Sequence, residues 1–361
     1  MSRNNVKRVT LRYLHTELEF HIEDGISLEP VFEFFGTHFE VERGAEAVNP
    51  LAVIRVIRDA SQFGNIAWDA GEDVYIRKSA SAFFTIVARR VSIGGTEYYR
   101  CNRTDIRIAM DAVNGSILVA GATEGSEREN MVWIELIRDL VLKNEENHGV
   151  VVVHATCAYQ DGAAMMIAGQ KGAGKSTTLL ELVHRFGCSF MSGDKTFLWM
   201  DGGKLYASGW PDYPHLGLGT MSKYPEFVER YGLADPIAAA QETLWSGEHK
   251  IAVSPEVFKA IIPMTPPGLR CPVRLVIYPS VYPSGQCEIR TVDDHIRRLT
   301  PHIERMFADG TVLWNRYVEP STPEEYDAAV QACLAKLASI SAVTVEGSGI
   351  IGEHDWLEAM K

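Results

Sequence analysis

The 361-residue chain has no apolar run approaching 18 residues, so no membrane-spanning helix is expected. It has no CxxC pair. Its six cysteines, Cys101, Cys157, Cys188, Cys271, Cys287 and Cys333, are scattered, which fits reduced, buried thiols better than a disulfide framework or a zinc site. No segment gathers five or more basic residues, and 35 Lys and Arg against 47 Asp and Glu give a formal net charge of −12. Nucleic acid and anionic membrane are therefore poor candidate partners. The opening stretch, MSRNNVKRVTLRYLHTELEF, mixes charges into its apolar residues and holds no h-region, so no secretory signal is read there and a cytoplasmic location is expected. There is no internal repeat and no low-complexity tract.

What remains is the composition of an ordinary globular protein, 46% hydrophobic and 23% charged. At roughly 150 residues per domain the length points to two domains. Residues 1 to about 125 read as β-rich. Ile106, Ile108 and Met110 alternate with polar neighbours, Asn114-Gly115 follows, and Ile117-Leu118-Val119 resumes, which predicts a hairpin closed by a type I′ turn. Gly94-Gly95 predicts a second hairpin. Ser126 with Glu129 forms a capping box for a helix over about 127–142, whose Trp133, Leu136, Ile137 and Leu140 share one face. The polar stretch Lys143 to Asn147 then ends the first unit, giving a β-rich α+β domain over 1–147 and a second domain over 148–361.

The second domain alternates strands and helices and reads as α/β. Strands are expected at Val150 to Val153, Ala163 to Ala168, Ser189 to Met191, Phe197 to Met200 and Val273 to Ile277. A helix is expected over about 175–186, closed by Gly187 at C′, and another opens at Thr322-Pro323-Glu324-Glu325.

The informative segment is Gly169-Gln170-Lys171-Gly172-Ala173-Gly174-Lys175-Ser176, which fits the P-loop pattern G-x-x-x-x-G-K-[ST] and lies between an apolar strand and an amphipathic helix. Glycines there let backbone N–H groups wrap around phosphates at a helix N-terminus. Lys175 would reach the β- and γ-phosphates of a nucleotide, and the Ser176 hydroxyl would ligate Mg²⁺. Thr177 completes the binding segment. ATP is taken as the nucleotide by default.

Other residues should reach the same sheet edge. Asp161-Gly162 between two apolar runs is a strong two-residue hairpin turn. Pairing Gln160 with Ala163 places His154 opposite Gly169, at the mouth of the loop. The strand after the P-loop helix should run parallel to the P-loop strand and deliver Ser192-Gly193-Asp194-Lys195 to that edge. A hydroxyl attacking a γ-phosphate needs an imidazole or carboxylate to take its proton, and Mg²⁺ needs a carboxylate beside the P-loop hydroxyl. His154 and Asp194 are of the right type, and either could serve as base. Lys195 would compensate phosphate charge or pair with Asp194. Asp212 and His215, in Trp210-Pro211-Asp212-Tyr213-Pro214-His215, suit contact with metal or acceptor, although a proline-braced surface turn would use the same residues.

Val151 to Thr156, the short hairpin, the P-loop, the helix through Leu182 and Gly187 through Asp194 together resemble the catalytic core of the HPr kinase/phosphorylase family and its divergent kinase relatives. The resemblance is close over about 148–200 and holds in outline over 270–360, where it implies a strand from Val273 to Tyr278 and helices at about 292–307 and 323–340. It implies an HPr kinase-like P-loop catalytic domain, ATP- and Mg²⁺-dependent transfer to a hydroxyl acceptor, and a homo-oligomer. In the family a histidine at the position of His154 and a pair of aspartates assist proton transfer and metal binding. This chain keeps the histidine and the second aspartate, Asp194, and has Gly193 in place of the first.

The family's signature E-[IL]-R-G-[LI]-G survives only as the Gly-Leu-Gly of His215-Leu216-Gly217-Leu218-Gly219, which argues against HPr itself as acceptor. Lys250 resembles a basic residue that sits near the transferred phosphate in the relatives. The expected acceptor is a serine-like hydroxyl on a small molecule or peptide. A nucleotide-binding regulatory module without group transfer is the alternative, since a P-loop by itself licenses only binding. There is no LSGGQ-like, N-K-x-D or Asp-Glu Walker B signature of other P-loop classes.

Overall fold

The computed structural model describes residues 6–79, 81–121, 125–241, 243–245, 250–282, 285–307 and 312–359. They belong to two compact units, Met1–His148 with Met306–Pro323, and Gly149–Arg305 with Glu324–Lys361. The chain thus returns to the first unit after 305, a crossing that a single division at 147 does not contain.

In the first unit the strands are β1 (Val6–Tyr13), β2 (Thr16–Glu23), β3 (Glu40–Arg43), β4 (Ala52–Ile57), β5 (Glu72–Arg77), β6 (Ile86–Ile93), β7 (Thr96–Cys101), β8 (Arg107–Asp111) and β9 (Ser116–Ala120). They form one sheet in the order β3-β1-β2-β4-β9-β8-β7-β6-β5. Helices α1 (Glu29–Phe35) and α2 (Glu127–Asn147) bury Phe32, Phe35 and Trp133 in its core. Between β6 and β7, Gly94 and Gly95 both take positive φ, as a type I′ turn requires. The β8–β9 hairpin does not use that turn. Its loop runs through four residues with only Gly115 at positive φ, because the Asp111 carboxylate accepts from the Asn114 backbone and side-chain amides and builds a wider turn.

Helix α2 starts on the capping box of Ser126 and Glu129 but runs five residues past the expected 142. The polar stretch expected to end it is buried instead. Lys143 donates to Asp139 at 2.8 Å and to the Asn315 carbonyl at 2.9 Å, while Glu145 accepts from the Thr16 hydroxyl at 2.6 Å. Burial holds the Asp139 carboxyl above its ordinary range, against the pull of Lys143.

In the second unit β10 (Val151–Gln160), β11 (Ala163–Ala168), α3 (Lys175–Phe186), β12 (Ser189–Ser192), β13 (Lys195–Asp201) and β14 (Lys204–Gly209) come first. A small arm of β15 (His215–Gly217) and β16 (Lys250–Ala252) brackets the helices α4 (Leu218–Met221), α5 (Pro225–Tyr231) and α6 (Ala234–Ala239). Then follow α7 (Pro255–Ile261), β17 (Cys271–Val281), β18 (Glu288–Thr291), α8 (Ile296–Leu299), β19 (Ile303–Glu304), α9 (Pro323–Leu337), β20 (Ser341–Gly347) and α10 (Glu353–Ala359). Strands β11, β10, β13, β14 and β17 pair in turn, and β17 pairs back to β11. Alternation along β10 and β11 splits their side chains between two cores. Met165 and Ile167 pack with Leu179, Leu182 and Val183 of α3, while Val151, Val153, Ala164 and Met166 pack with Val330, Leu334 and Leu337 of α9. The second unit is accordingly mixed α/β.

The strand after α3 runs in the same direction as β11, as expected: β12 lies on the far edge of β10, antiparallel to it, and the parallel neighbour of β11 is β17. One expectation is corrected here. The helix expected over 292–307 is only the single turn of α8, followed by a 3₁₀ turn at Thr300–His302 and by β19. Pro301 contributes by lacking the backbone donor that a further α-turn would use; Thr300 before it keeps helical backbone, and the chain tightens into the 3₁₀ turn before extending at Ile303.

Candidate functional site

Strand β10 organises the site. It pairs Gln160 with Ala163 and Ala155 with Ala168, across a turn in which Asp161 and Gly162 both take positive φ, so His154 lies one step beyond the end of β11. On its other edge β10 pairs His154 with Lys195 and Cys157 with Ser192. Strands β12 and β13 therefore lie end to end along β10, and Gly193-Asp194 forms the break between them. That break puts the Asp194 carboxylate 3.4 Å from His154 Nε2.

The Gly169–Ser176 segment joins β11 to α3. Gly172 and Gly174 take φ of +88° and +100°, which L side chains rarely adopt. At Gly174 a Cβ would also stand 2.5 Å from Cβ of Val281, because the end of β17 passes directly against the loop and the Val281 amide donates to the Ala173 carbonyl at 2.9 Å. Lys175 Nζ donates to the Gly169 carbonyl at 2.7 Å, folding the side chain back over the loop. Burial lowers the Lys175 ammonium from its ordinary range, and the nearby charge of Lys250 lowers it further while Asp194 opposes both.

A cleft of about 520 Å³ opens over this segment. Gln170, Lys171, Gly172, Gly174, Lys175, Ser176 and Thr177 line it, and Gly169 and Ala173 close the loop beneath through the two carbonyls just described. His154, Asp194, Asp212, His215 and Lys250 line the same cleft, whereas Lys195 does not line it. The β15–β16 arm carries His215 and Lys250, with Gly217 paired to Lys250. Thr220 on α4 shares a hydrogen bond of 3.0 Å with the Thr177 hydroxyl, which ties that wall to the start of α3.

Several neighbours were not foreseen. Trp245 lines the cleft, packs on Gly219 where no Cβ would fit, and lies under the Lys223 ammonium. The glycine spacing of His215 to Gly219 was legible; its service to an indole was not. Glu304 reaches the site because β19 pairs with β10 at Val152 and Val153, on the edge that β11 has vacated. Its Oε1 lies 3.2 Å from His154 Nδ1, and its other oxygen accepts from Lys195, so Lys195 pairs with Glu304 rather than with Asp194. The available signal was Pro301, whose missing N–H shortens the expected helix to α8 and a 3₁₀ turn, after which Ile303 is extended. His302 sits close enough for the charges of Lys175 and His154 to add to burial in lowering its imidazole from the usual range.

Among the described residues no cluster of three or more His, Cys, Asp or Glu side chains is arranged to hold a metal by itself. A hydroxyl from Ser176 and a carboxylate from Asp194 border the cleft beside the glycine cradle. This donor set suits a hard divalent ion that draws its other ligands from phosphate and water.

No protein-family model matches the chain, and no curated protein matches it. Among solved structures, the Hpr(Ser) kinase/phosphatase from Coxiella burnetii is similar to it at 19% identity, over 39% of this chain and 70% of that one, with a TM-score of 0.21. No helix among the described residues is long and apolar enough to cross a membrane.

Proposed function

We propose that the second unit is a P-loop kinase that transfers the γ-phosphoryl group of ATP to a hydroxyl on a small molecule or peptide. The observation that carries this reading is the convergence on one cleft of the Gly169–Ser176 cradle with an imidazole and a carboxylate, His154 and Asp194, set 3.4 Å apart. A site built only to bind nucleotide needs the cradle; it has no use for a proton acceptor beside it.

The loop amides and Lys175 would hold the triphosphate and offset the charge that spreads over the transferring group. Ser176 and Asp194 would hold Mg²⁺, which would add further neutralisation of phosphate charge when bound. With Asp194 engaged in that way, His154 Nε2 is the atom left to take the proton. The acceptor hydroxyl passes its proton to Nε2 as its oxygen bonds to the γ-phosphorus, the bond from that phosphorus to the β-bridging oxygen breaks, and ADP leaves. Asp212, His215 and Lys250, which line the same cleft, would orient the acceptor. Desolvation of Lys175 favours an anion in the cleft, because a buried ammonium regains with a phosphate what it lost with water.

The test follows the γ-phosphate of labelled ATP with Mg²⁺, with fractionated small-molecule and peptide pools as acceptors, for wild type and Lys175→Ala. Label should appear on an acceptor with wild type and fall by about a hundredfold or more with the variant. Label that stays on bound ATP in every pool would instead favour a nucleotide-binding regulatory module.

A further inference from the structure

The reaction proposed above leaves one carboxylate of the site without a task. Glu304 is brought to His154 by a sequence of local causes. Pro301 ends α8, the next residues extend into β19, that strand takes the edge of β10 beyond β11, and the Tyr326 hydroxyl fixes the Glu304 carbonyl. The carboxylate then divides its oxygens, Oε1 facing His154 Nδ1 at 3.2 Å and Oε2 receiving Lys195. An ionised carboxylate only accepts, so the nitrogen facing it must donate. Asp194 Oδ1 also stands near the ring, 3.4 Å from Nε2, but the shorter contact with hydrogen-bond geometry is the one to Glu304, so a neutral imidazole held this way carries its proton on Nδ1 and keeps the Nε2 lone pair on the cleft side. Lys195 neutralises Glu304 and is thereby kept away from Asp194.

We propose that Glu304 is a positioning residue: it sets the ring orientation and tautomer of His154 so that Nε2 faces the acceptor hydroxyl. The proposal rests on the phosphoryl-transfer reading and deepens it. The relation is that of a base oriented by a third group, assembled here from a strand 150 residues away in sequence. The chain has Gly193 where the resemblance implies a first aspartate, and Glu304 supplies the site with a second carboxylate, on the far side of the imidazole.

Nitrogen-15 NMR of histidine-labelled full-length protein reads the tautomer without any acceptor, with the His154 signal assigned by its loss in His154→Gln. At about pH 9, where imidazoles are neutral, wild type and Lys195→Met should show His154 protonated on Nδ1, and Glu304→Ala should shift it towards the Nε2-protonated form. A structural role confined to the Lys195–Glu304 pair predicts the same change in both variants, which would overturn the proposal, as would an Nε2 proton in wild type. In the labelled-ATP assay Glu304→Ala should lower turnover at saturating ATP about 10- to 100-fold with nucleotide affinity within about threefold of wild type. Tyr326→Phe, which frees the strand but keeps the carboxylate, should leave the tautomer unchanged; loss of the Nδ1 proton in that variant as well would assign the effect to strand anchoring and overturn the proposal. If wild type binds ATP and transfers nothing, the kinase reading falls, while the tautomer still decides the role of Glu304.

Discussion

At the scale of single residues the site depends on groups whose chemistry is set by what stands behind them. Gly174 is the clearest case. Its φ of +100° and the 2.5 Å approach of a Cβ to Val281 mean that Gly174→Ala meets both backbone strain and a clash with a side chain anchored in β17. It should cost about 1–3 kcal/mol by urea denaturation and abolish nucleotide binding. Gly172→Ala has the strain without the clash, since nothing stands within 4 Å of its Cβ, and should cost less. Gly193 is constrained by space more than by conformation: a side chain at that position would press on the Phe190 ring, 3.2 Å from the Cβ.

His302 gives a dependence on pH. Its folded-state pKa is lowered from 6.5 by burial and by the charges of Lys175 and His154, so between the two values the unfolded chain binds the additional proton. Stability contributed by neutral His302 is therefore present above 6.5 and lost as pH falls through 6.5 towards the lowered value. Urea midpoints for wild type and His302→Gln between about pH 7 and about pH 5 should converge as pH falls. A constant gap would contradict this assignment.

At the scale of elements, β10 does most to build the site, and much of its work was legible beforehand. The Asp161-Gly162 turn fixes the register with β11, and register alone carries His154 to the mouth of the loop. Helix α3 and its Gly187 cap were equally plain, because glycine spacing and a 3.6-residue apolar period are local signals. What local signals did not reveal was which polar residues would be buried by distant chain. The tail of α2 reads as a polar stop, yet Lys143 is fully buried because its ammonium donates to Asp139 and to the Asn315 carbonyl. Those partners lie 172 residues apart in sequence from the lysine in one case, beyond any local pattern. Lys143→Ala should cost about 3–5 kcal/mol, since it leaves the Asp139 carboxylate buried without its cation, whereas Ser126→Ala at the other end of the helix should cost about 1 kcal/mol. Chemical denaturation of the two variants side by side checks the ranking. Glu304 escaped for a related reason: its strand is only two residues long, and only its pairing with β10 makes it a strand.

At the scale of the whole molecule, a chain of formal net charge −12 keeps Lys171, Lys175 and Lys250 on the wall of one cleft. That local reversal of sign suits a polyanionic ligand and opposes the long-range field of the protein, so affinity for polyphosphate should change with salt less simply than for a basic protein. The composition gave the sign of the total charge but could not show where the positive residues meet. Inorganic tripolyphosphate at about a hundred times its Kd should add about 2.7 kcal/mol to the unfolding free energy of the unit that binds it, and should add far less with Lys175→Ala. Differential scanning calorimetry would show which transition moves.

The central claim is that the cleft performs phosphoryl transfer and does not merely hold nucleotide, and Asp194 separates the two. The most direct measurement is a single-turnover experiment with γ-labelled ATP, Mg²⁺ and the acceptor pools, comparing wild type with Asp194→Asn, alongside ADP binding by calorimetry. The account predicts label on an acceptor with wild type, transfer lowered by about a hundredfold or more in the variant, and ADP affinity within about threefold of wild type. Transfer at the wild-type rate by Asp194→Asn, or no transfer by wild type to any pool despite bound ATP, would contradict it.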